Sequence, residues 1–239
     1  MKRLLALLLF WPVMALSAPF IPPRALPLLP VIVKSELQYF TDLPYRAYIP
    51  GQIEQETCIS LKSSRCWSEK AELKTSREYG FSLGQFTVAY NKDGSVRFNA
   101  WEEVKKLHPD LKNWQWADRL NPEMQIKAIV IKNAYNWGRA KFKTASPMQR
   151  LYFVAVEYNS GSTKRDRDLC AATPNCDPTR WFGEPGKLGV SDVSVKPRVA
   201  AKGYKKSWFE ISREYPVNIF FKRAPKYEPY MLTTPQDHP

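Results

Sequence analysis

The chain has 239 residues, and 36 Lys plus Arg against 23 Asp plus Glu give it a formal charge of +13. That length suits one sizeable domain with its own core, and 44% hydrophobic and 13% aromatic residues exclude a disordered chain. The ten glycines argue against Gly-rich phosphate loops, and the two histidines, His108 and His238, lie far apart, which sets aside zinc hydrolases, His-based triads and haem sites.

Met1-Lys2-Arg3, an apolar run from Leu4 to Leu16 and then Ser17-Ala18 read as a secretory signal peptide over residues 1–18. The run is too short for an ordinary membrane span. Cleavage after Ser17 uses the small residues Ala15 and Ser17, and an uncleaved signal anchor is the alternative. Loss of Lys2 and Arg3 from +13 leaves about +11, a charge that favours polyanions: nucleic acid, anionic lipid or an acidic wall polymer. Export moves the expectation to the wall or membrane surface and away from nucleic acid. Cys58, Cys66, Cys170 and Cys176 make an even count, which in an exported protein reads as disulfides. Three connectivities are open, and Cys58–Cys66 with Cys170–Cys176 is the simplest. A zinc site is the rival, without a CxxC pair or a nearby histidine to support it.

Residues 19–44 form a Pro-rich leader, with Pro19, Pro22, Pro23, Pro27 and Pro30, expected to be extended rather than helical. A domain is expected over residues 45–225. Tyr48 to Leu61 suits a short amphipathic helix, and Lys62 to Glu78 is polar and lacks periodicity. The run YGFSLGQFTVAY, Tyr79 to Tyr90, leads into a turn at Asn91-Lys92-Asp93-Gly94. Asn99 caps a helix over Trp101, Val104 and Leu107 that ends before Pro109. Asn121-Pro122 opens a helix to about Trp137, apolar nearly all round and therefore buried. Ser146-Pro147-Met148-Gln149 is a capping box for a helix that runs to Tyr158, with Gly161 just past its end. Residues 162–206 read as a basic surface excursion held by Cys170–Cys176. Residues 207–225 form a closing helical segment interrupted at Pro216, and 226–239 a tail. The class is mainly α, with a small β-hairpin or irregular region.

Glu56 lies in GQIEQETCIS on the first helix of the domain. Some twenty residues on comes SREYGFSLGQF, and roughly seventy later VAVEYNSG closes a helix. A Glu on one helix, a Gly/Gln segment and a Tyr-Asn-Gly at a helix end together resemble the lytic transglycosylases of the lysozyme-like superfamily. That family's Glu-Ser motif reads Glu56-Thr57 here. In its second motif, Ser76 to Gln85, Leu83 and Gln85 keep register while Tyr79, Gly80, Ser82 and Gly84 depart. Its third motif appears as Glu157-Tyr158-Asn159-Ser160-Gly161, and Asn121-Pro122 resembles the entry to its central helix. Arg213-Glu214-Tyr215-Pro216-Val217 matches a late stretch loosely. The resemblance covers residues 45–160 well and 207–225 weakly.

The resemblance implies a lysozyme-like α-helical domain that cleaves the MurNAc–GlcNAc bond of peptidoglycan. Glu56 would act first as acid and then as base, while the substrate's own C6 hydroxyl attacks to give a 1,6-anhydro sugar. Such a Glu must stay protonated near neutrality, which needs an apolar wall; Ile53, Ile59, Phe81 and Leu83 are the expected wall. Tyr158 would hydrogen-bond near the carboxyl, Gln85 and Asn159 would hold sugar acetamides or stem peptide, and Thr57 and Ser76 complete the expected substrate-binding set. Glu54 would point to another side of the helix. Glu78 and Glu157 replace non-acidic family positions; one of them near the cleft would recruit water and make a hydrolytic muramidase. Trp114, Trp116 and Trp137 are candidate sugar platforms. The expected protein is an exported, periplasmic or envelope-associated monomer with no metal or cofactor. Its partner is the peptidoglycan glycan strand, not nucleic acid, in cell growth or in a secretion, conjugation or phage machine. A non-catalytic wall-binding protein on the same fold is the reading from another class.

Overall fold

Prolines in a helix's first turn cost nothing, because the N–H they lack has no partner there. In the computed structural model, which describes residues 20–58, 60–140, 142–193, 199–200 and 205–231, Pro27 and Pro30 occupy such positions. Leu26–Leu28 makes a 3-10 turn that leads into α1 (Leu29–Tyr39). The leader is therefore helical, not extended, and α1 buries Leu29, Ile32 and Val33. It packs on α4 (Pro122–Arg139), the central helix, whose Ile126, Ile129 and Val130 are at most 1% exposed. The proposed signal peptide and Pro19 lie outside the described residues.

The helix α2 (Tyr48–Thr57) is buried along most of its length rather than amphipathic. At Gly51 an added Cβ would sit 2.9 Å from that of Ala224, so glycine lets the C-terminal segment close onto the helix. The Cys58–Cys66 disulfide pins the chain directly after α2, and Cys170–Cys176 closes the second local loop.

Four antiparallel strands follow in sequence order: β1 (Glu72–Lys74), β2 (Glu78–Phe81), β3 (Phe86–Tyr90) and β4 (Val96–Asn99). The sheet exceeds the expected hairpin because part of the polar stretch before Glu78 adds β1. At the β3–β4 turn Asp93 accepts from Ser95 N, as its turn chemistry requires. Asn99 then accepts from Glu102 N and starts α3 (Ala100–Lys105), and Asn121 accepts from Met124 N at the head of α4.

Ser146 caps α5 (Pro147–Ser160), and Gly161 at φ 82° ends it. The capping box is only half made. Gln149 turns away and accepts from Trp181 N (2.7 Å) and Phe182 N (3.3 Å), tying down the segment beyond α5. That segment is more than a surface excursion. It contains α6 (Lys164–Ala171) and the short parallel pair β5 (Cys176–Asp177) and β6 (Leu188–Gly189). Phe153 and Val156 of α5 join Cys170, Trp181, Val190 and Val193 in a second small core.

Pro216 does not break α7 (Trp208–Val217). A mid-helix proline removes one i→i−4 bond, and here the backbone widens into a π-helical stretch, Asn218–Arg223, instead of stopping. A 3-10 turn (Ala224–Tyr227) and α8 (Glu228–Met231) follow, with Tyr227 0% and Met231 2% exposed. Residues 226–231 thus belong to the domain, not to a tail. The whole is mainly α with a small antiparallel sheet. No helix among the described residues is long and apolar enough to cross a membrane.

Candidate active site

Glu56 sits in the last turn of α2 and lines a cleft of about 610 Å³, bounded by the β2–β3 turn, β3, α4 and the ends of α5 and α7. A carboxyl at a helix C-terminus faces the negative end of the dipole, and burial adds to that. The Glu56 carboxyl is pushed up from 4.5 to about 7 by burial, against the Tyr215 hydrogen bond and the charge of Lys132.

Tyr215 Oη donates to Glu56 Oε1. Behind it stands a buried chain of donors. Tyr48 Oη donates to Asn133 Oδ1 (2.8 Å), Asn133 Nδ2 to Gln52 Oε1 (2.7 Å), and Gln52 Nε2 to Tyr215 Oη (3.2 Å). Every bond in the chain points toward Glu56, so the chain favours the carboxylate while burial favours the acid. Lys132 Nζ lies 3.9 Å over the Tyr158 ring and donates to Tyr158 O. Burial holds its ammonium down to about 8, against the pull of Glu56 and Glu103.

Thr57, Gln85, Tyr158 and Asn159 join Glu56 at the cleft; Ser76, Phe81 and Leu83 do not. Tyr158 Oη donates to Gly84 O (2.9 Å), not to the carboxyl, and so fastens the β2–β3 turn to α5. Gly84 N donates to Gln125 Oε1, and a Cβ at Gly84 would lie 2.7 Å from the Phe86 ring and 3.0 Å from Ile129. Only glycine lets the turn sit this close to α4. Gln85, at φ 45°, spends its amide nitrogen on Ala71 O (3.1 Å) and Ser82 O (2.6 Å), so it braces the turn. Thr57 Oγ1 donates to Ile53 O and accepts from Trp67 N, locking the end of α2. Asn159 is exposed at the cleft.

Ser76 is an exposed residue of the β1–β2 turn and does not line the cleft, although Leu73 and Glu78 on either side of that turn do. Phe81 and Leu83 are 0% exposed: Phe81 packs on Tyr79 and Trp116, so both belong to the core beneath the sheet. Ile53 is likewise core, and Ile59 lies outside the described residues. The apolar wall consists instead of Phe86, Phe98, Trp208 and Ile211. None of the three candidate tryptophan platforms, Trp114, Trp116 and Trp137, lines the cleft, and Trp114 is in the core at 3% exposure; Trp208, 58% exposed, stands on the cleft instead.

Glu54 does face away from the cleft, but it is buried rather than solvated, held by Tyr227 Oη and by Lys226 Nζ at 2.6 Å. Glu78 lines the cleft and pairs with Arg97 at 3.3 Å. Glu157 accepts from Thr163 N and Oγ1 and so fixes the start of α6. Sequence reasoning missed Tyr215, Lys132, Gln52 and Asn133 as site residues. Lys132-Asn133 did carry a signal: two polar residues inside the apolar run of a central helix are buried for a reason.

In comparisons with known proteins, no family model matches the chain and no curated protein matches it.

Proposed function

We propose that the protein is an exported lytic transglycosylase that cuts the MurNAc–GlcNAc bond of peptidoglycan, with Glu56 as acid and then base. The observation that carries this reading is the Glu56 carboxyl on the cleft wall, pushed up to about 7 by burial and with one oxygen already claimed by Tyr215. In the proposed reaction Glu56 gives its proton to the glycosidic oxygen, and the bond to C1 of MurNAc breaks with an oxocarbenium-like centre. The resulting carboxylate is stabilised by Tyr215 and Lys132. It then takes the proton of the C6 hydroxyl as that oxygen bonds to C1, which closes the 1,6-anhydro ring and restores the acid. The order of the motifs and the two disulfides support the reading and its placement in the cell envelope. The protein is proposed to act as a monomer, on glycan strands, without metal or cofactor.

One observation favours a hydrolytic alternative on the same substrate: Glu78 lines the same cleft and is oriented by its ion pair with Arg97, as a water-activating base would be. Mass spectrometry of fragments released from purified sacculi decides. Anhydro ends are expected; reducing ends instead identify a muramidase, and no release leaves a non-catalytic wall-binding protein.

The acid step needs protonated Glu56, so kcat/KM on soluble glycan chains is expected to fall about tenfold per pH unit above about 7. Tyr215→Phe removes a donor that favours the carboxylate. Its limb should therefore lie at higher pH and its maximal turnover should be lower. A limb unmoved by Tyr215→Phe would show that another group titrates.

A further inference from the structure

The direction of a hydrogen-bond chain is decided where one member has no choice, and in the chain behind Glu56 that member is Asn133. Asn133 and Gln52 are 0% exposed, so protein groups must satisfy both amides. Asn133 Nδ2 donates to Ile129 O (2.9 Å), the backbone carbonyl one turn back along α4. A carbonyl only accepts, so this amide cannot be turned over: its oxygen would then face another oxygen.

The rest of the chain follows from that one fixed nitrogen. Its second hydrogen needs an acceptor, and Gln52 presents Oε1 at 2.7 Å. Gln52 is thereby turned with Nε2 toward Tyr215 Oη, which accepts at 3.2 Å. The phenol's own hydrogen then goes to Glu56 Oε1. Were Tyr215 to accept from the Glu56 acid as well, its buried hydroxyl hydrogen would be left without a partner, the costly arrangement for a buried donor. Tyr48, at the far end, does not set the direction. Its Oη donates to Asn133 Oδ1 (2.8 Å), but a hydroxyl both donates and accepts and so follows whichever atom Asn133 presents.

We infer that Asn133 and Gln52 are positioning residues, which hold the Tyr215 hydroxyl as a donor to Oε1 and so keep the acid proton of Glu56 on Oε2. The catalytic consequence rests on the glycan-cleaving reading above: the proton stays on the oxygen that Tyr215 does not claim, free for the glycosidic oxygen. Without the fixed nitrogen of Asn133, Gln52 can turn its own oxygen to Tyr215. The phenol then donates to Gln52 and accepts from Glu56, because a carboxylic acid is a stronger donor than a phenol. The acid proton is then spent on Tyr215.

The test reads Tyr215 directly. The Raman ring doublet of tyrosine changes its intensity ratio according to whether the hydroxyl donates or accepts, and the Tyr215 doublet is the difference between the full chain and its Tyr215→Phe variant. At pH 5, where Glu56 is protonated, the wild type is expected to show a donor. Asn133→Leu and Gln52→Leu, each paired with its own Tyr215→Phe difference, should show an acceptor. Tyr48→Phe keeps Asn133 on Ile129 O and should leave the doublet as it is. On soluble glycan chains the two leucine variants should lose about tenfold or more in kcat with KM held, and their alkaline limb should move to higher pH, since the acid form has gained a bond. Gln52→Leu carries both measurements if Asn133→Leu does not fold.

An acceptor doublet in the wild type overturns the inference, and so does a doublet unchanged in the leucine variants. A doublet reversed equally by Tyr48→Phe would take the direction away from Asn133 and overturns it too. A fall in kcat with the limb unmoved would leave the pair a merely structural role. If the wild type cleaves no glycan, the glycan-cleaving reading has failed, and the doublets alone decide the direction of the chain.

Discussion

Glu56→Gln is expected to abolish glycan cleavage while raising the thermal stability of the protein. Glutamine keeps the size of the side chain and can still accept from Tyr215, but it has no proton to give the leaving oxygen. General acid–base catalysis is worth roughly 10²–10⁴-fold, and in the proposed reaction one residue serves both halves, so the loss should reach the upper end of that range. The stability change follows from the same burial. The carboxyl of Glu56 titrates at about 7 in the fold against an ordinary 4.5. A pKa raised in the folded state means that the contribution is complete below 4.5 and is lost as pH rises to about 7. Glutamine does not titrate, so the variant should gain on the wild type across that window. The gain is at most about 3 kcal/mol, less what solvent at the cleft mouth screens. Turnover on sacculi and melting curves at pH 5 and pH 8 check both halves. Glu123→Gln, an exposed residue in the first turn of α4, is the control. Wild-type turnover in Glu56→Gln would remove Glu56 from the mechanism.

Glu54→Ala is expected to be among the most destabilising single changes, although Glu54 is only two residues from Glu56. Its carboxylate, 3% exposed, is held by Tyr227 Oη and Lys226 Nζ, with Arg223 Nε at 3.9 Å. Removing it strands a buried hydroxyl and two cations. Breaking one side of a buried ion pair costs about 3–5 kcal/mol, a fall in Tm of roughly 6–20 °C for a domain of this size. Tyr227→Phe should cost less, because Lys226 and Arg223 keep their partner, but it also strands Trp67 Nε1, which donates to Tyr227 Oη at 3.0 Å. A double-mutant cycle on Glu54 and Lys226 isolates the pair. A Tm within 2 °C of wild type in Glu54→Ala, about 1 kcal/mol or less, would mean that the C-terminal segment does not close on α2.

Local chemistry was legible without coordinates. Asn99, Asn121 and Ser146 each accept from the backbone N–H three residues on, and Gly161 takes the positive φ that ends α5. These are interactions within one turn, so residue type and spacing determine them. Both disulfides closed the short loops for the same reason, at separations of 8 and 6. The motif register also placed Glu56, Tyr158 and Asn159 on one cleft.

What spacing could not convey is which distant side chains meet, and those contacts decide the site. Tyr215 reaches Glu56 across 159 positions, and Tyr227 reaches Glu54 across 173. Lys132 and Asn133 join the site only through distant partners: Asn133 meets Tyr48 and Gln52 of α2, and Lys132 meets Tyr158 of α5. Leu83 keeps the motif's register and Phe81 lies within the motif, yet both are buried in the core, since contacts with distant residues, such as Trp116 against Phe81, decide which side chains are inward. The prolines of the leader permit a first helical turn as readily as an extended chain, and burial of Leu29, Ile32 and Val33 against α4 selects the helix. Burial likewise makes Glu54, expected only to face another side of the helix, the anchor of the C-terminal segment. In each case the free energy comes from removing side chains from water against partners far away in the chain, and a periodicity or a cap, confined to one turn, carries no record of that partner.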